Sequence, residues 1–473
     1  MAEAVSLPIA VDGVYQDWGD GAPVHVDPSG DEGGSAVDFG RLFIAHDEHY
    51  LYLRFEIGTE MIINTGNYIN LYLDWDNNTQ TGANVEGIGA DLRWRFGLRQ
   101  GTYYGNETET FYWNRIDLRR APTVSSDQYE IAISRFPDLA IGEAATTISL
   151  VFRNEDNGVK DKLPDSGAVI YALSSDPLPS HIKIPLDKKK ASDLRIVTYN
   201  VLNDGFFYRT EYFTRILQAL DPDIINFQEI YNHTAEETRA LVASILPLSS
   251  GEEWYAASNN DCKTVSRFPV LNKWNLDGNL VVEISAPFEF SSDSILIVNA
   301  HLPAGDNQSQ RQAEIDRIMS FIKDAKMPGG SVNIASRTPM ILLGDMNLVG
   351  WAQQLSSLLE GDIVDEETFG ADFSPDWDGS EFKDCLSYHT SSRESFTWRS
   401  NSSSYDPGRL DFIIYTDSIL ETPQHYIVYT PEMDEEDLTQ YGLQSGDVPS
   451  ASDHLPHVAD FGFRNHFNLW MFR

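Results

Sequence analysis

Hydrophobic and polar positions alternate with two different periods along this chain. Up to about residue 175 the period is two. It is seen in Leu51-Tyr-Leu-Arg-Phe-Glu-Ile, Ile69-Asn-Leu-Tyr-Leu-Asp-Trp, Leu92-Arg-Trp-Arg-Phe, Tyr129-Glu-Ile-Ala-Ile and Ile148-Ser-Leu-Val-Phe. Alternation of this kind buries one face of a strand, and Gly, Asn and Asp clusters separate the runs, so this half predicts an all-β sandwich. From residue 193 onward, apolar runs of strand length alternate with amphipathic helices. Gln308 to Lys323 places Ile315, Ile318, Met319 and Ile322 at helical spacing, and Thr234-Ala-Glu-Glu opens a helix with a capping-box pattern ahead of Leu241, Val242 and Ile245. This half predicts an α/β fold. Ser174-Ser-Asp-Pro-Leu-Pro-Ser and Asp187-Lys-Lys-Lys-Ala-Ser-Asp carry the punctuation of a connector, which divides the chain into a sandwich over 1–178, a linker over 179–192 and an α/β domain over 193–473. Lys188 to Lys190 read as part of that solvated connector.

Composition narrows the function classes. With 473 residues, 41% of them hydrophobic, the chain has apolar content for more than one core. Residues 1–192 carry 29 acidic and 16 basic side chains, and residues 193–473 carry 43 and 18, so both halves are acidic, within a net charge of −38. Such a surface repels polyanions at long range unless cations intervene, and it suits a salty or extracellular setting. Two cysteines exclude a disulfide framework; Cys262 and Cys385 fit either one bridge or two buried thiols. No run of eighteen apolar residues spans a membrane. The start, Met1-Ala-Glu-Ala-Val-Ser-Leu-Pro, shows neither a basic n-region nor an apolar h-region, and the expectation is a secreted or periplasmic protein whose signal has been removed.

The second half ends its strands in one kind of residue. Leu194-Arg-Ile-Val-Thr-Tyr-Asn ends in Asn200, Asp223-Ile-Ile-Asn-Phe-Gln-Glu in Glu229, and Ile295-Leu-Ile-Val-Asn-Ala-His in His301. Met340-Ile-Leu-Leu-Gly-Asp-Met-Asn presents Asp345 and Asn347, Arg409-Leu-Asp-Phe-Ile-Ile presents Asp411, and the tail supplies Ser452-Asp453-His454. On an extended chain, residues two apart share a face, so Asp345 and Asn347 should point together, as could Thr198 and Asn200. Asp453 and His454 are adjacent and can act together only at a loop or strand end. Carboxylates with carboxamides are hard oxygen ligands for Mg²⁺, Mn²⁺ or Ca²⁺, not a thiolate zinc site. A hard cation beside a His and Asp pair suits water activation against a phosphoester. Glycoside hydrolysis needs only two carboxylates and leaves the histidines unexplained.

Six motifs carry a family resemblance: Tyr-Asn-Val at 199–201, Gln-Glu at 228–229, Asn-Ala-His-Leu at 299–302, Gly-Asp-Met-Asn at 344–347, Arg-Leu-Asp-Phe-Ile at 409–413 and Ser-Asp-His at 452–454. In this order they resemble the endonuclease/exonuclease/phosphatase superfamily, across essentially all of 193–473. The resemblance implies a four-layer α/β sandwich with the site at one end of its sheets. It implies a divalent cation held by Glu229 with Asn200 and Asp453, and His454 as general base oriented by Asp411. Asp345 would position the attacking water or a second metal, and Asn347 and His301 would contact the phosphoryl group. Ser266-Arg267-Phe-Pro-Val resembles a family segment that places Arg267 near the phosphate, with an ordinary surface salt bridge as the alternative. His301 is the histidine of the deoxyribonuclease-like and sphingomyelinase-like branches. Arg311, on the helix after it, reads as structural. Trp351, Trp377 and Trp398 either line a cleft or sit in the core, and Phe396-Thr-Trp reads as a buried strand.

In the first half, Val11-Asp-Gly-Val-Tyr-Gln-Asp-Trp, Leu42-Phe-Ile-Ala-His-Asp and Leu73-Asp-Trp-Asp-Asn-Asn-Thr-Gln-Thr-Gly resemble a family-nine carbohydrate-binding-module-like sandwich over roughly 7–175. Asp74, Asp76 and Asn78 alternate as calcium ligands do, or form a solvated hairpin turn, and Thr79 and Val85 depart from the EF-hand pattern. Trp75, Trp94 and Trp113 are candidates for a sugar platform or for the core. The whole predicts a metal-dependent phosphodiesterase acting on small phosphodiesters or phospholipid head groups, with mono- and triesters within the same chemistry. A deoxyribonuclease-like endonuclease with nucleic acid as substrate is the first rival. A non-catalytic protein bound to a polysaccharide or cell surface is the second.

Overall fold

The structure, a computed structural model, describes residues 9–19, 21–142, 146–173, 182–286 and 293–464. Its chain falls into two compact units. One comprises Met1–His181 with Arg399–Gly408, and the other Ile182–Trp398 with Arg409–Arg473.

In the first unit the alternating runs become antiparallel strands. Tyr50–Met61 lies between Arg41–His46 and Ser126–Ser134 in a five-stranded sheet. Ile69–Asp74 lies between Thr147–Asn154 and Leu92–Arg95 in a seven-stranded one. Leu51, Leu53 and Phe55 from the first sheet and Leu71, Leu73 and Phe152 from the second join one core. Trp75 and Trp113 are wholly buried and Trp94 is nearly so, which makes all three core residues and removes them as a sugar platform. Residues 399–408 belong to this unit through an ion pair of Arg120 with Asp406 at 3.0 Å and a hydrogen bond from Trp113 Nε1 to the Ser403 carbonyl at 3.0 Å.

The second unit is built from two six-stranded sheets. The first runs Tyr255–Asn259, Cys262–Ser266, Ile224–Gln228, Leu194–Asn200, His457–Phe463, Leu420–Ile427. The second runs Val270–Leu276, Asn279–Ser285, Ser294–His301, Met340–Asp345, Asp411–Tyr415, Lys383–Asp384. Leu194–Asn200 is buried at every position, so burial alone does not reveal its faces, but its packing partners do. Leu194 and Ile196 meet Ile295, Ile297, Ile341, Leu343 and Ile413 of the other sheet, whereas Val197 and Tyr199 meet Phe213, Ile216 and Leu217 of the helix Thr210–Leu220. Strand parity therefore separates an inter-sheet layer from a helix-facing layer. Asn200, His301, Asp345 and Asp411 share the parity of the inter-sheet layer and stand at strand ends.

Local signals in this half are met. Thr234 accepts from the Glu237 amide and the Glu237 side chain returns to the Thr234 amide, which caps the helix Ala235–Ile245. The helix Gln308–Lys326 buries Ile315, Ile318, Met319 and Ile322. Two expectations differ, and the two alternatives for the cysteines resolve to one. Phe396 to Trp398 is buried or nearly so but forms no strand; only Trp398 makes a bridge, to His454. Cys262 and Cys385 are two free buried thiols, and burial pushes both up, Cys385 to about 12. Of the expected connector, 174–181 lies outside the described residues, and 182–192 packs into the second unit: Leu186 enters its core and Lys188 pairs with Asp223 at 2.6 Å. A buried leucine and a carboxylate partner outweigh the solvated character of the lysine run. Among the described residues no helix is long and apolar enough to cross a membrane.

Candidate active site

Three adjacent strands of the second sheet bring their polar ends into one row, because His301 is in register with Asp345 and Asp345 with Asp411. Gly344 precedes that aspartate at φ 132°, where a Cβ would stand 1.9 Å from the Ala300 carbonyl oxygen, so only glycine lets these strands close. On the first sheet Asn200 is in register with Gln228, and the chain then turns at Glu229 with φ 62°. A glutamate in the left-handed region is uncommon, and here it directs the carboxylate back over the strand end.

The two sheet ends meet through Asn200. Its Nδ2 donates to Glu229 Oε1 at 3.0 Å and to Asp345 Oδ2 at 2.9 Å, and Glu229 Oε2 accepts the Asn203 amide at 2.8 Å. Asp453 and His454 follow the short helix Asp447–Ala451, in a loop rather than a strand, as their adjacency requires. Ser452 ties this loop to the first sheet by donating to the Asn200 carbonyl at 2.8 Å, and its oxygen accepts the His454 amide at 3.1 Å. His454 Nδ1 donates to Asp411 Oδ2 at 2.8 Å, leaving Nε2 to face Asp345 Oδ2 at 3.6 Å. The Asp411 amide donates to Thr397 Oγ1 at 2.8 Å.

A second pair lies on the other side of Asp345. His301 Nδ1 donates to Asp261 Oδ2 at 2.6 Å, and Nε2 stands 3.7 Å from Asp345 Oδ2. Two imidazoles thus present Nε2 to one carboxylate oxygen. Burial lowers the His301 pKa, but the Asp261 hydrogen bond and the charges of Asp345, Asp261 and Glu229 outweigh it and raise it to about 9. Burial likewise opposes the charge on His454, and Asp411, Asp345 and Asp453 override it upward. Burial raises Asp411.

The donor set fits a hard divalent cation. Asp345, Asp411 and His454 offer ligand atoms within 4.8 Å of one another, and Asp411 Oδ1 and Asp453 Oδ1 are buried without a hydrogen-bond partner. Glu229 and Asp345 converge on the single Asn200 amide, so two carboxylates share one position suited to positive charge.

Asn347 joins the site by a different route from the one its spacing predicts. The strand ends at Asp345, Asn347 adopts φ 49°, and its amide donates to Asp345 Oδ1 at 3.1 Å in a tight turn. Its Nδ2 donates to the Leu302 carbonyl at 3.0 Å. Thr198 stays behind the site, hydrogen-bonded to Gln228 at 3.1 Å in a buried network that reaches Asn299. Arg267 is a correction: it pairs with Asp221 and lies 3.6 Å from Asp223, at the end of Ile224–Gln228 opposite Glu229. A strand of that length puts it roughly 15–20 Å from the chemistry. It is the surface salt bridge, not a phosphate ligand. Arg311 is structural as read, its guanidinium donating to the Pro303 and Gly305 carbonyls at 2.8 and 2.7 Å. Trp398 reaches the site through Nε1, which donates to Asp453 Oδ2 at 3.1 Å, while Trp377 donates to the Thr338 carbonyl.

Sequence reading missed Asp261 and Thr397. Asp261 sits in the turn Asn259-Asn-Asp-Cys between strands Tyr255–Asn259 and Cys262–Ser266, where an aspartate usually serves the turn itself. Here it also accepts the Glu229 amide at 3.0 Å and so positions both Glu229 and His301. In the first unit, Asp74 and Asp76 cluster with Asp91, while the Asn78 amide donates to Asp74 and Asp76 at 3.1 and 2.9 Å and its side chain accepts the Gln80 amide at 3.1 Å.

No curated protein matches the chain. Among solved structures it is similar to ANGEL2, a 2′,3′-cyclic phosphatase in complex with adenosine-2′,3′-vanadate, at 17% identity over 57% of this chain and 95% of that one, TM-score 0.38. It is similar to an AP endonuclease from Archaeoglobus fulgidus at 14% identity over 57% and 100%, TM-score 0.35. A mannosyl-6-phosphatase of Bacteroides thetaiotaomicron matches at 14% identity over 57% and 100%, TM-score 0.33. Residues 197–454, more than half of the chain and from within the Asn200 strand to His454, match the Endonuclease/Exonuclease/phosphatase family, and the chain therefore belongs to that family of phosphoester hydrolases.

Proposed function

We propose that this protein is a divalent-metal-dependent phosphodiesterase acting on small phosphodiesters or phospholipid head groups. The observation that carries the reading is the placing of the buried His454 and Asp411 pair opposite the Asn200, Glu229 and Asp345 cluster. Asp411 fixes the tautomer, so His454 Nε2 is the atom that takes a proton from water. Asp345 Oδ2, 3.6 Å from that nitrogen, accepts a hydrogen bond from the O–H that stays on the resulting hydroxide and orients the oxygen for in-line attack. His301, held protonated by Asp261, donates from Nε2 to a phosphoryl or leaving oxygen, and Asn347 has a second amide proton for the same charge. Glu229, Asn200 and Asp453 would hold the cation, which supplies positive charge to the phosphoryl oxygens and cancels the carboxylate field that otherwise protonates His454.

Preference for a small substrate rests on charge. Among the described residues no lysine or arginine pairs with Glu229, Asp345, Asp411 or Asp453. Arg209 donates instead to the Val201 and Leu202 carbonyls, and Lys263 to the Ile230 and Asn260 carbonyls. Affinity for long nucleic acid comes from cationic side chains on phosphates, and Arg209 and Lys263 are engaged by backbone carbonyls instead. A secreted or periplasmic setting and an accessory role for the N-terminal sandwich complete the proposal, supported by the acidic composition.

The test uses metal-stripped protein, with Mg²⁺, Mn²⁺ and Ca²⁺ restored in turn, on bis-p-nitrophenyl phosphate and on supercoiled plasmid. Turnover of the small diester with intact plasmid is expected. Nicked plasmid at low enzyme would shift the assignment to an endonuclease, and silence on both would return it to a binding protein.

A further inference from the structure

The first unit concentrates carboxylates at a place that the phosphoester chemistry does not use. Asp31 lies with Asp27 and Asp165 in one group and with Asp38 and Asp161 in another, the ligand atoms of each group within 4.8 Å of one another. Asp27, Asp31 and Asp38 come from the stretch around and after His25–Val26, and Asp161 and Asp165 from the edge strand Asp161–Leu163 and the turn beyond it. Chain segments more than a hundred residues apart therefore bring like charges together. Among the described residues no lysine or arginine pairs with any of the five. The nearest basic nitrogen, His25 Nε2, is 3.6 Å from Asp27 Oδ1, outside hydrogen-bond reach.

Their lone pairs distinguish them. Asp161 accepts the Phe39 amide on Oδ2 and the Lys162 amide on Oδ1, each at 2.7 Å, and Asp38 accepts the Gly30 amide at 3.0 and 3.2 Å. Asp27 has a side chain with 0% exposure, and neither of its oxygens has a hydrogen-bond partner. Burying a carboxylate with both oxygens unpartnered is costly, and the cost disappears when a cation takes them. The hairpin trio Asp74, Asp76 and Asp91 behaves differently. Asp74 accepts the Asn78 and Gly89 amides, Asp91 the Trp75 and Asp76 amides, and Asp76 the Asn78 amide and the Thr81 hydroxyl. That trio is satisfied by its own turn.

The structure assigns to Asp27, Asp31 and Asp165 a Ca²⁺ site that clamps the chain around residues 27–31 to the edge strand of the sandwich, with Asp38 and Asp161 adding negative charge behind Asp31. Oxygens up to 4.8 Å apart match opposite sides of one Ca²⁺, whose ligands lie at about 2.3–2.6 Å, and an all-carboxylate set without nitrogen or sulfur selects a hard cation. Mg²⁺ needs a near-ideal octahedron at about 2.0–2.1 Å, which loop-borne carboxylates accommodate less well.

The experiment uses the full chain, stripped of metal and held in excess Mg²⁺, with Ca²⁺ binding followed by equilibrium dialysis and thermal melting. Asp31→Asn and Asp165→Asn change exposed residues and leave the fold intact, which Asp27→Asn, being buried, does not guarantee. Wild type, Asp76→Asn and Glu229→Gln should each bind one Ca²⁺ with a rise in Tm, since a ligand that binds only the folded state stabilises it. Asp31→Asn and Asp165→Asn should bind it about tenfold or more weakly and lose the rise. Wild-type binding in both of those variants, loss of the ion in Asp76→Asn or Glu229→Gln instead, or no Ca²⁺ bound by the wild type would overturn the assignment.

Discussion

Two histidine and aspartate pairs flank Asp345, and they are alike in bond but not in surroundings. Asp411 is wholly buried, accepts from His454 on one oxygen and has no partner on the other, and burial raises its proton affinity. Asp261 is also buried, but its Oδ2 accepts the Glu229 amide as well as His301, and its pKa falls below the ordinary carboxylate value even though burial opposes that. The difference teaches how one motif does two jobs. Both histidines are shifted up, His454 to about 10 and His301 to about 9, so the pairs differ in the carboxylate: Asp261 is held ionised by extra donors, whereas Asp411 is desolvated and shares the proton of its pair.

The largest effect should come from breaking the buried pair. His454→Ala is expected to lower kcat on the small diester by about 10²–10⁴ with an unchanged circular dichroism spectrum, the range general-base removal produces. Near-wild-type turnover would remove His454 from the chemistry. Asp411→Asn should approach the same loss, because a carboxamide no longer selects the tautomer with Nε2 free.

Breaking the less deeply buried pair, His301 with Asp261, should cost less. His301→Gln removes one donor to developing charge, and a loss of about 10²-fold in kcat is expected. A loss as large as that of His454→Ala would erase the division of roles. The upward shift of His301 has its own measurement, made on metal-free protein by NMR titration of the imidazole protons. His301 should titrate at about 9, above its ordinary 6.5, and Asp261→Asn should bring it down toward 6.5. Because the folded-state value is raised, the stability this pair contributes is fully present below pH 6.5 and is lost as pH rises through about 9. An unshifted midpoint would mean that Asp261 does not hold the proton.

The smallest effect serves as a control outside both pairs. Thr234→Ala removes the reciprocal cap of Ala235–Ile245 and should lower unfolding free energy by about 1 kcal/mol in urea titrations, with kcat unchanged.

Which parts of this were legible beforehand depends on how local the cause is. The capping box at Thr234 and Glu237, the helix from Gln308 and the period-two strands of the first unit follow from residues a few positions apart. The strand-end motifs were legible as chemistry for the same reason, since Asn200, Glu229, His301 and Asp345 each close an apolar run and Asp411 opens one. Their common face was not. Leu194–Asn200 and Met340–Asp345 are buried on both sides, so polarity carries no parity signal, and only the packing of sheet on sheet and helix on sheet separates inner from outer residues. Asn347 illustrates the limit: spacing placed it beside Asp345 by pleat, whereas the chain leaves the strand and returns it by a left-handed turn.

Most elements, the acidic balance and the inventory of hard ligands are set by residue type and short-range spacing, and so were fixed before any packing. The partnerships were settled by packing. Asp261 reaches His301 across 40 residues, Arg267 is drawn to Asp221 and Asp223 at the far strand end, and Asp27 meets Asp165 across the sandwich. A side chain's charge state and role follow from what is packed within a few ångströms of it, and that neighbourhood is a property of strand order and register, which no local pattern encodes.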